Sequence, residues 1–438
     1  MNQRARQITG RLKENGYYAY LVGGCVRDLL LGREPSDYDV ATSARPEQVI
    51  ELFPGAAVVG AHFGVALVDG VEVATFRSER NYSDGRHPDY VAFETDVRKD
   101  VARRDFTINA LLMDAESGEV FDYVGGREDL RLGLVRAIGD PDARFREDRL
   151  RMLRAVRFAA RLGFEIEPET SAAIRRLSGL ARDVSAERTR DELVRILTEG
   201  AARRGFELLD ECGLLPVILP EVAAFKGVAQ PPEFHPEGDV WTHVLLMLGA
   251  MREPSPALAF GVVLHDVGKP GTFRIAERIR FDGHVELGRE ISTDILTRLR
   301  CSKEEMRRVD DLVANHMRFK DVDKMRESTI LRFLRLPHFE EHLELHRLDC
   351  LASHGRLDHY EAMKARWERT PPEVLKPPPL LTGDDLLAAG YSPCPAFKQA
   401  LAAVEDAQLE GRVRSPEEAL AVALEVMERT AGPFRFPV

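Results

Sequence analysis

Brief apolar runs alternate with helical periodicity over the first hundred or so residues, and the pattern then turns predominantly helical. Leu21 and Val22 end a short apolar strand ahead of Gly23-Gly24, and residues 26–31 follow with the spacing of a short helix. The segment GVALVDGVEVATFRSE alternates apolar and polar positions around Asp69-Gly70, which predicts a β-hairpin. Residues 116–200 read as helical, beginning after the loop GDPDARFRED, and 201–228 hold a further helical stretch broken by the prolines of LLPVILPEV. QPPEFHPEGD (230–239) predicts a domain boundary, helical periodicity resumes to about Trp367, and TPPEVLKPPPLLTGDD sets off a small helical tail. The expected division is a mixed head at 1–140, a helical neck at 141–229, a helical body at 230–367 and a tail at 368–438.

Composition narrows the class without naming it. A chain of 438 residues has room for two to four domains and a substantial core. Its 44% hydrophobic and 30% charged residues describe an ordinary soluble protein. No apolar window reaches membrane-span length, and MNQRARQITGRLKENGYY lacks a signal core, so no membrane partner is expected. Five scattered cysteines without CxxC pairs argue against disulfides or a zinc ribbon and point to a reducing cytoplasm. A net charge of −11 argues against a non-specific nucleic-acid coat, yet DARFREDRLRMLRAVRFAARLGF carries a local arginine stripe.

The densest chemistry lies in LVGGCVRDLLLGREPSDYDVAT. Gly23-Gly24 lets backbone approach a bulky anion, and the helix that follows would favour phosphate. Asp37 and Asp39, two apart on extended chain, point to one side and suit Mg²⁺ with substrate phosphates. Glu72 in VEVATFR is the candidate third carboxylate of a two-metal site. The segment resembles the active-site signature of the polymerase-β-type nucleotidyltransferases. The rest of the chain narrows that resemblance to bacterial-type tRNA nucleotidyltransferases, the CCA-adding enzymes, and their poly(A) polymerase relatives.

Further motifs carry the resemblance. ARRDFTINAL supplies Arg104, Asp105 and Asn109, and by resemblance Arg104 contacts the nucleotide, alongside Gly23, Gly24 and Arg27. The long loop RSERNYSDGRHPDYVAFETDV matches one that the family needs for adding the final adenosine. In REDRLRMLRAVRFAARLGF, drawn as a helix, Met152, Leu153, Val156, Ala159 and Ala160 share an apolar face opposite Arg151, Arg154, Arg157 and Arg161. Asp148 and Arg151, three apart, would be neighbours. A carboxylate beside a guanidinium matches the amino donor and ring-nitrogen acceptor of cytosine and adenine, and mismatches guanine and uracil. Glu147-Asp148-x-x-Arg151 resembles the family's EDxxR amino-acid template for CTP and ATP, with Arg154 and Arg157 as further nucleotide-binding arginines, and VSAERTRDEL resembles the next motif, a helix supporting the neck.

His243, His265-Asp266, His284, His316 and Asp349 are spaced along predicted helices, with Val-Gly-Lys after the His-Asp pair. This resembles an HD phosphohydrolase domain, in which His243, His265, Asp266 and Asp349 would form the core metal set and His284 and His316 could serve a second metal. Imidazole with carboxylate suits Ni²⁺, Mn²⁺ or Fe. The tail also resembles the family's, with Ser392-Pro393-Cys394-Pro395 where a Gly-Pro-Gly-like turn is usual. The resemblance implies an α+β polymerase-β-like head followed by an all-α neck, HD body and tail. It further implies CCA addition, or addition of only the terminal A, to the tRNA 3′ end by a monomer or dimer. A poly(A) polymerase and an HD hydrolase whose N-terminal half only binds nucleotides are the alternatives.

Overall fold

A computed structural model describes residues 2–59, 64–80, 82, 85 and 88–431. The chain packs as two compact units, one of residues 1–228, 251–259 and 293–303, the other of 229–250, 260–292 and 304–438. Among the described residues, no helix is long and apolar enough to cross a membrane.

The first unit contains the α+β head that the pattern predicts. Strands β1 (Ala19–Val22), β2 (Asp39–Thr42), β3 (Ala57–Val58), β4 (Val65–Val68) and β5 (Val71–Thr75) join two later strands in one sheet. A separate pair, β6 (Arg77–Arg80) and β7 (Tyr90–Phe93), precedes those two, β8 (Leu112–Met113) and β9 (Val120–Phe121), and the sheet order is β3-β4-β5-β2-β1-β8-β9. The expected hairpin is present: Asp69 and Gly70 both have positive φ, 49° and 83°, as a tight turn between twisted strands requires. Alternation sorts the two faces. Leu21, Val40 and Val73 join Ala5, Ile8 and Leu12 of the helix Gln3–Glu14 in one core, each buried leucine contributing about 1.5–3 kcal/mol. Val22, Ala41 and Leu112 face the other way with Phe76, and Asp39 and Glu72 share that second face.

The loop expected at 77–100 is partly regular. Its flanks form the antiparallel pair β6–β7 in register from Arg77↔Phe93 to Arg80↔Tyr90. Tyr82 donates to Glu79, which also accepts from Arg77 and Arg103. A buried carboxylate with three donors anchors this hairpin to the head, and so the flanks are not a free connector. Residues 81, 83, 84, 86 and 87 of the loop lie outside the described residues.

Among the described residues, the second unit is helical apart from one small hairpin. The Pro-rich stretch 230–239 lies where the second unit begins, at residue 229, and is itself an ordered loop. Ala229 and Asp239 form a bridge, Gln230 N–H donates to the Gly238 carbonyl, and Asp239 caps the helix Val240–Ala250 through Thr242 N–H. Proline rigidifies a closed loop as readily as it marks a linker. Phe319, Phe333, Phe339 and Leu343 build a separate aromatic core with Met363, and Leu386, Ala400, Val404 and Ala423 hold the tail helices together.

His342 in the helix Phe339–Ala352 is 2% exposed. Burial pushes its pKa down from 6.5 to about 4, partly opposed by Glu341. Because the folded value lies below the unfolded one, the neutral imidazole stabilises fully above pH ~6.5, and that stability is lost as pH falls from there towards 4. The shift corresponds to roughly 3 kcal/mol. A His342→Leu variant is expected to lose less of its thermal midpoint between pH 7.5 and pH 4.5 than the wild type; an identical loss would contradict the assignment.

Candidate functional site

Gly23 begins the head site. Its φ of 78° is open to glycine, and a Cβ there would lie 3.7 Å from Arg104 Nη1 and 3.8 Å from the Asn109 carbonyl. The helix Gly24–Leu30 follows at once. Asp39 opens β2 and pairs with Val22 of β1 on one side and with Glu72 of β5 on the other. Asp37, two residues earlier, is exposed. Burial first, then the Glu72 carboxylate, pushes the Asp39 carboxyl up to about 6; Arg104 opposes this and Asp37 adds to it. A carboxyl raised by burial and by two neighbouring carboxylates belongs to a donor set that a divalent cation would relieve, because it replaces repulsion with attraction. The oxygen donors fit Mg²⁺.

A buried polar chain ties this turn to the neck. Arg27, 3% exposed, donates through Nε to Asp28 at 2.8 Å and through Nη1 to Asn109 at 2.6 Å. Asn109 donates to Asp105 Oδ1, and Asp105 Oδ2 accepts both Nε and Nη2 of Arg154, at 2.9 and 2.6 Å. Burial alone would raise the Asp105 pKa, but the Arg154 guanidinium outweighs it and holds the carboxyl below its usual value. Arg104 is held by Asp100, which also takes Arg103.

The neck departs from the drawn helix. Its arginine side is only partly solvated: Arg161 is exposed, but Arg151 and Arg157 are 8% and 4% exposed, and Arg157 pairs with buried Glu192 at 2.6 Å. Asp148 and Arg151 are not paired side chain to side chain. The helix Pro141–Glu147 stops at Asp148, whose φ of −139° is extended, and the next helix begins at Arg151. Asp148 Oδ1 caps Leu150 N–H, and its Oδ2 takes Arg188 at 2.8 Å. Arg151 turns to Glu147 at 2.8 Å and to the Arg103 carbonyl at 3.0 Å. An aspartate at a helix junction satisfies orphan amides, and that local demand overrode the three-residue spacing.

In the second unit, the predicted histidines converge. Ring centroids of His243 and His265 are 5.6 Å apart, His265 and His316 5.3 Å, and His316 and His284 5.5 Å. The ligand atoms of His243, His265 and Asp349 lie within 4.8 Å of one another, as do those of Asp266, His284 and His316. The Nδ1 atoms of His265, His284 and His316 meet the carbonyls of Val262, Phe281 and Val313 at 3.0, 2.8 and 2.7 Å. Those bonds hold the proton on Nδ1 and leave Nε2 as a lone pair. The Nε2 atoms of His243, His265, His284 and His316 are all buried without a hydrogen-bond partner. His243 Nε2 lies 3.2 Å from Asp349 and His265 Nε2 3.1 Å from Asp266, near the carboxylates but not aligned as hydrogen bonds. Burial and then His265 push His316 down to about 3, keeping it neutral. Unpartnered imidazole lone pairs beside carboxylates fit one or two divalent metals.

Three family models match in series: a poly A polymerase head domain at 19–136, a probable RNA and SrmB-binding site of polymerase A at 163–226, and an HD domain at 240–349. The solved CCA-adding enzyme of Bacillus stearothermophilus, in complex with CTP, superposes with a TM-score of 0.72 at 30% identity, covering 98% of this chain and 97% of that one. The chain belongs to the CCA-adding enzyme family. Curated CCA-adding enzymes include those of Geobacillus stearothermophilus, 45% identical over 48% of this chain and 53% of the relative, and of Lactobacillus gasseri, 39% identical over 58% and 65%. The chain thus spans about half to two thirds of the length of the curated relatives that it matches. The Thermotoga maritima CCA-adding enzyme, complexed with tRNA, shares the fold at 20% identity and a TM-score of 0.58, covering 97% of this chain and 95% of that one.

As a member of this family the chain pairs a nucleotidyltransferase head with an HD domain, a combination consistent with divalent metal use. Sequence reasoning missed Gln230, Glu237 and Lys269. Lys269 Nζ bridges Asp266 Oδ2 and Gln230 Oε1, each at 2.6 Å, and the lysine of the Val-Gly-Lys run was the available signal. Gly268 explains the glycine in that run: an added Cβ would meet the His284 carbonyl at 2.1 Å and Gly288 N at 2.7 Å. At Gly271 a Cβ would instead meet only the Leu287 side chain, at 2.7 Å. Gly271→Ala is expected to cost about 1–3 kcal/mol, and Gly268→Ala more, since backbone must move and carry His284 with it. Equal melting temperatures for Gly268→Ala and wild type would refute this packing.

Proposed function

We propose that this chain adds CCA, or its terminal A alone, to tRNA 3′ ends from CTP and ATP in the cytoplasm. The observation that carries the reading is the parallel register placing Glu72 beside Asp39, next to the turn at Gly23 that faces Arg104. Its 30% identical relative was solved with CTP, and a more distant one with tRNA, which supports the choice of substrates. Asp37, Asp39 and Glu72 would hold Mg²⁺, and bound there it would lower the pKa of the attacking hydroxyl and screen the leaving group. The tRNA 3′-oxygen attacks the α-phosphorus in line, a new P–O bond forms, and the bond to pyrophosphate breaks. Arg104 and the Gly23-Gly24 turn hold the triphosphate, and Arg27, Asp105, Asn109, Arg154 and Arg157 fix the surface that receives the nucleotide. Asp148 offers an acceptor and Arg151 a donor to the base edge, a pairing that C and A satisfy.

Purified protein is offered three tRNA transcripts ending at the discriminator base, at C and at CC, with both nucleotides. Extension of all three to CCA is the full reaction, and extension of only the CC-ending transcript is A addition. Long A-tails on arbitrary RNA, or no extension, would overturn the reading. Asp39→Ala is expected to reduce incorporation by orders of magnitude at an unchanged melting temperature.

The four unpartnered imidazole nitrogens support a second activity, metal-dependent hydrolysis of phosphomonoesters or 2′,3′-cyclic phosphates. His243, His265, Asp266 and Asp349 would hold Ni²⁺, Mn²⁺ or Fe, with His284 and His316 available to a second ion, and a metal there would activate water for attack at phosphorus. Phosphate release from 2′,3′-cAMP in Ni²⁺, lost in Asp266→Ala, is the expected result. No release with any divalent metal would reject it.

A further inference from the structure

The four histidines of the second unit are not held alike. His265, His284 and His316 each lodge Nδ1 against the carbonyl three residues earlier in their own chain. His243 instead places Nδ1 2.7 Å from Oε1 of Glu237, a carboxylate on the loop 230–239 whose side chain is only 5% exposed. The same oxygen meets His235 Nδ1 at 2.9 Å, and the two rings stand edge to face at 5.1 Å. The other Glu237 oxygen is buried without a hydrogen-bond partner. The loop is closed by the Ala229–Asp239 bridge and runs into the helix that carries His243, so carboxylate and imidazole are delivered by one continuous piece of chain.

An imidazole whose Nδ1–H donates to a carboxylate is fixed in one tautomer, with its Nε2 lone pair directed away, and becomes a stronger metal ligand than one held by a neutral carbonyl. His243 Nε2 is 3.2 Å from Asp349 and fully enclosed. Glu237 is poorly placed to be a ligand of that same metal, because it sits on the opposite nitrogen of the ring. We propose that Glu237 is the positioning residue of this metal centre, holding His243 as the tautomer that presents Nε2 to the metal, with His235 bracing the carboxylate. The inference rests on the hydrolase reading above, and deepens it by making the Pro-rich loop part of the centre.

The test is Ni²⁺ affinity by calorimetry, with Asp37→Ala and Asp39→Ala in every protein so that the head carboxylates do not contribute. Glu237→Ala is expected to weaken Ni²⁺ binding about 10–100-fold. Glu237→Gln keeps an oxygen that can accept from Nδ1–H but removes the charge, and should fall between that variant and the unaltered loop. In metal-free protein, ¹⁵N-resolved imidazole spectra should show a slowly exchanging, strongly hydrogen-bonded Nδ1–H on His243, and loss of that signal in Glu237→Ala. Affinities within twofold of one another for all three proteins would overturn the role of Glu237 and leave the hydrolase reading standing. Absence of Ni²⁺ binding before Glu237 is changed would overturn both. If Glu237→Ala does not fold, Glu237→Gln decides alone: unchanged affinity and an unchanged Nδ1–H signal reject the proposal.

Discussion

A charge cannot stay buried without a partner, and in the first unit that constraint joins turn to helix. Arg27 and Arg154 lie at either end of one chain of hydrogen bonds, through Asn109 and Asp105, that runs from the glycine turn to the neck. Breaking such a pair on one side leaves an uncompensated charge and typically costs about 3–5 kcal/mol. The chain therefore acts as a geometric restraint: the helix Arg151–Leu162 cannot rotate without stranding Asp105, and the turn cannot shift without breaking the Arg27–Asn109 bond. Phe158 closes the same region, with the guanidinium carbons of Arg27, Arg154 and Arg157 all 4.3–5.3 Å from its ring. Three cations around one ring would repel one another, and Asp28, Asp105 and Glu192 offset that repulsion.

The second unit solves the converse problem, keeping polar atoms free. Imidazoles in a core normally satisfy both nitrogens. Here the backbone or Glu237 takes one nitrogen of each, and the other is buried without an aligned hydrogen bond. That arrangement costs stability without a cation, which is why four such atoms in one place point to a binding function and not to a hydrophobic core.

Much of this was legible in the residues because the decisive features are local. Gly23-Gly24, the Asp69-Gly70 turn and the alternation in VEVAT depend on neighbours within a few positions, and the structure places them as the pattern predicts. The histidines and aspartates of the second unit were also legible, through their resemblance to an HD domain, and the structure brings them together. Partners were not. That Asp148 takes Arg188 and Arg151 takes Glu147 depends on where one helix stops and another begins, and the boundary at Asp148 follows from its capping of Leu150. The loop 230–239 was opaque for a related reason. Prolines advertise a break in regular structure, but they do not say if the segment is loose or closed, and Glu237 has no meaning until the Ala229–Asp239 bridge folds it back.

The parallel pairing of β2 with β5 has one more consequence. Parallel neighbours need a long connection, and here it includes the helix Pro46–Leu52 and the strands β3 and β4. Extra or missing residues in the turns of that excursion leave the pairing of Asp39 with Glu72 untouched. A single residue inserted within β5 itself would send Glu72 to the opposite face of the sheet, among Leu21 and Val40. The head is thus tolerant of length change over most of its outer edge, and intolerant of it along the five residues from Val71 to Thr75.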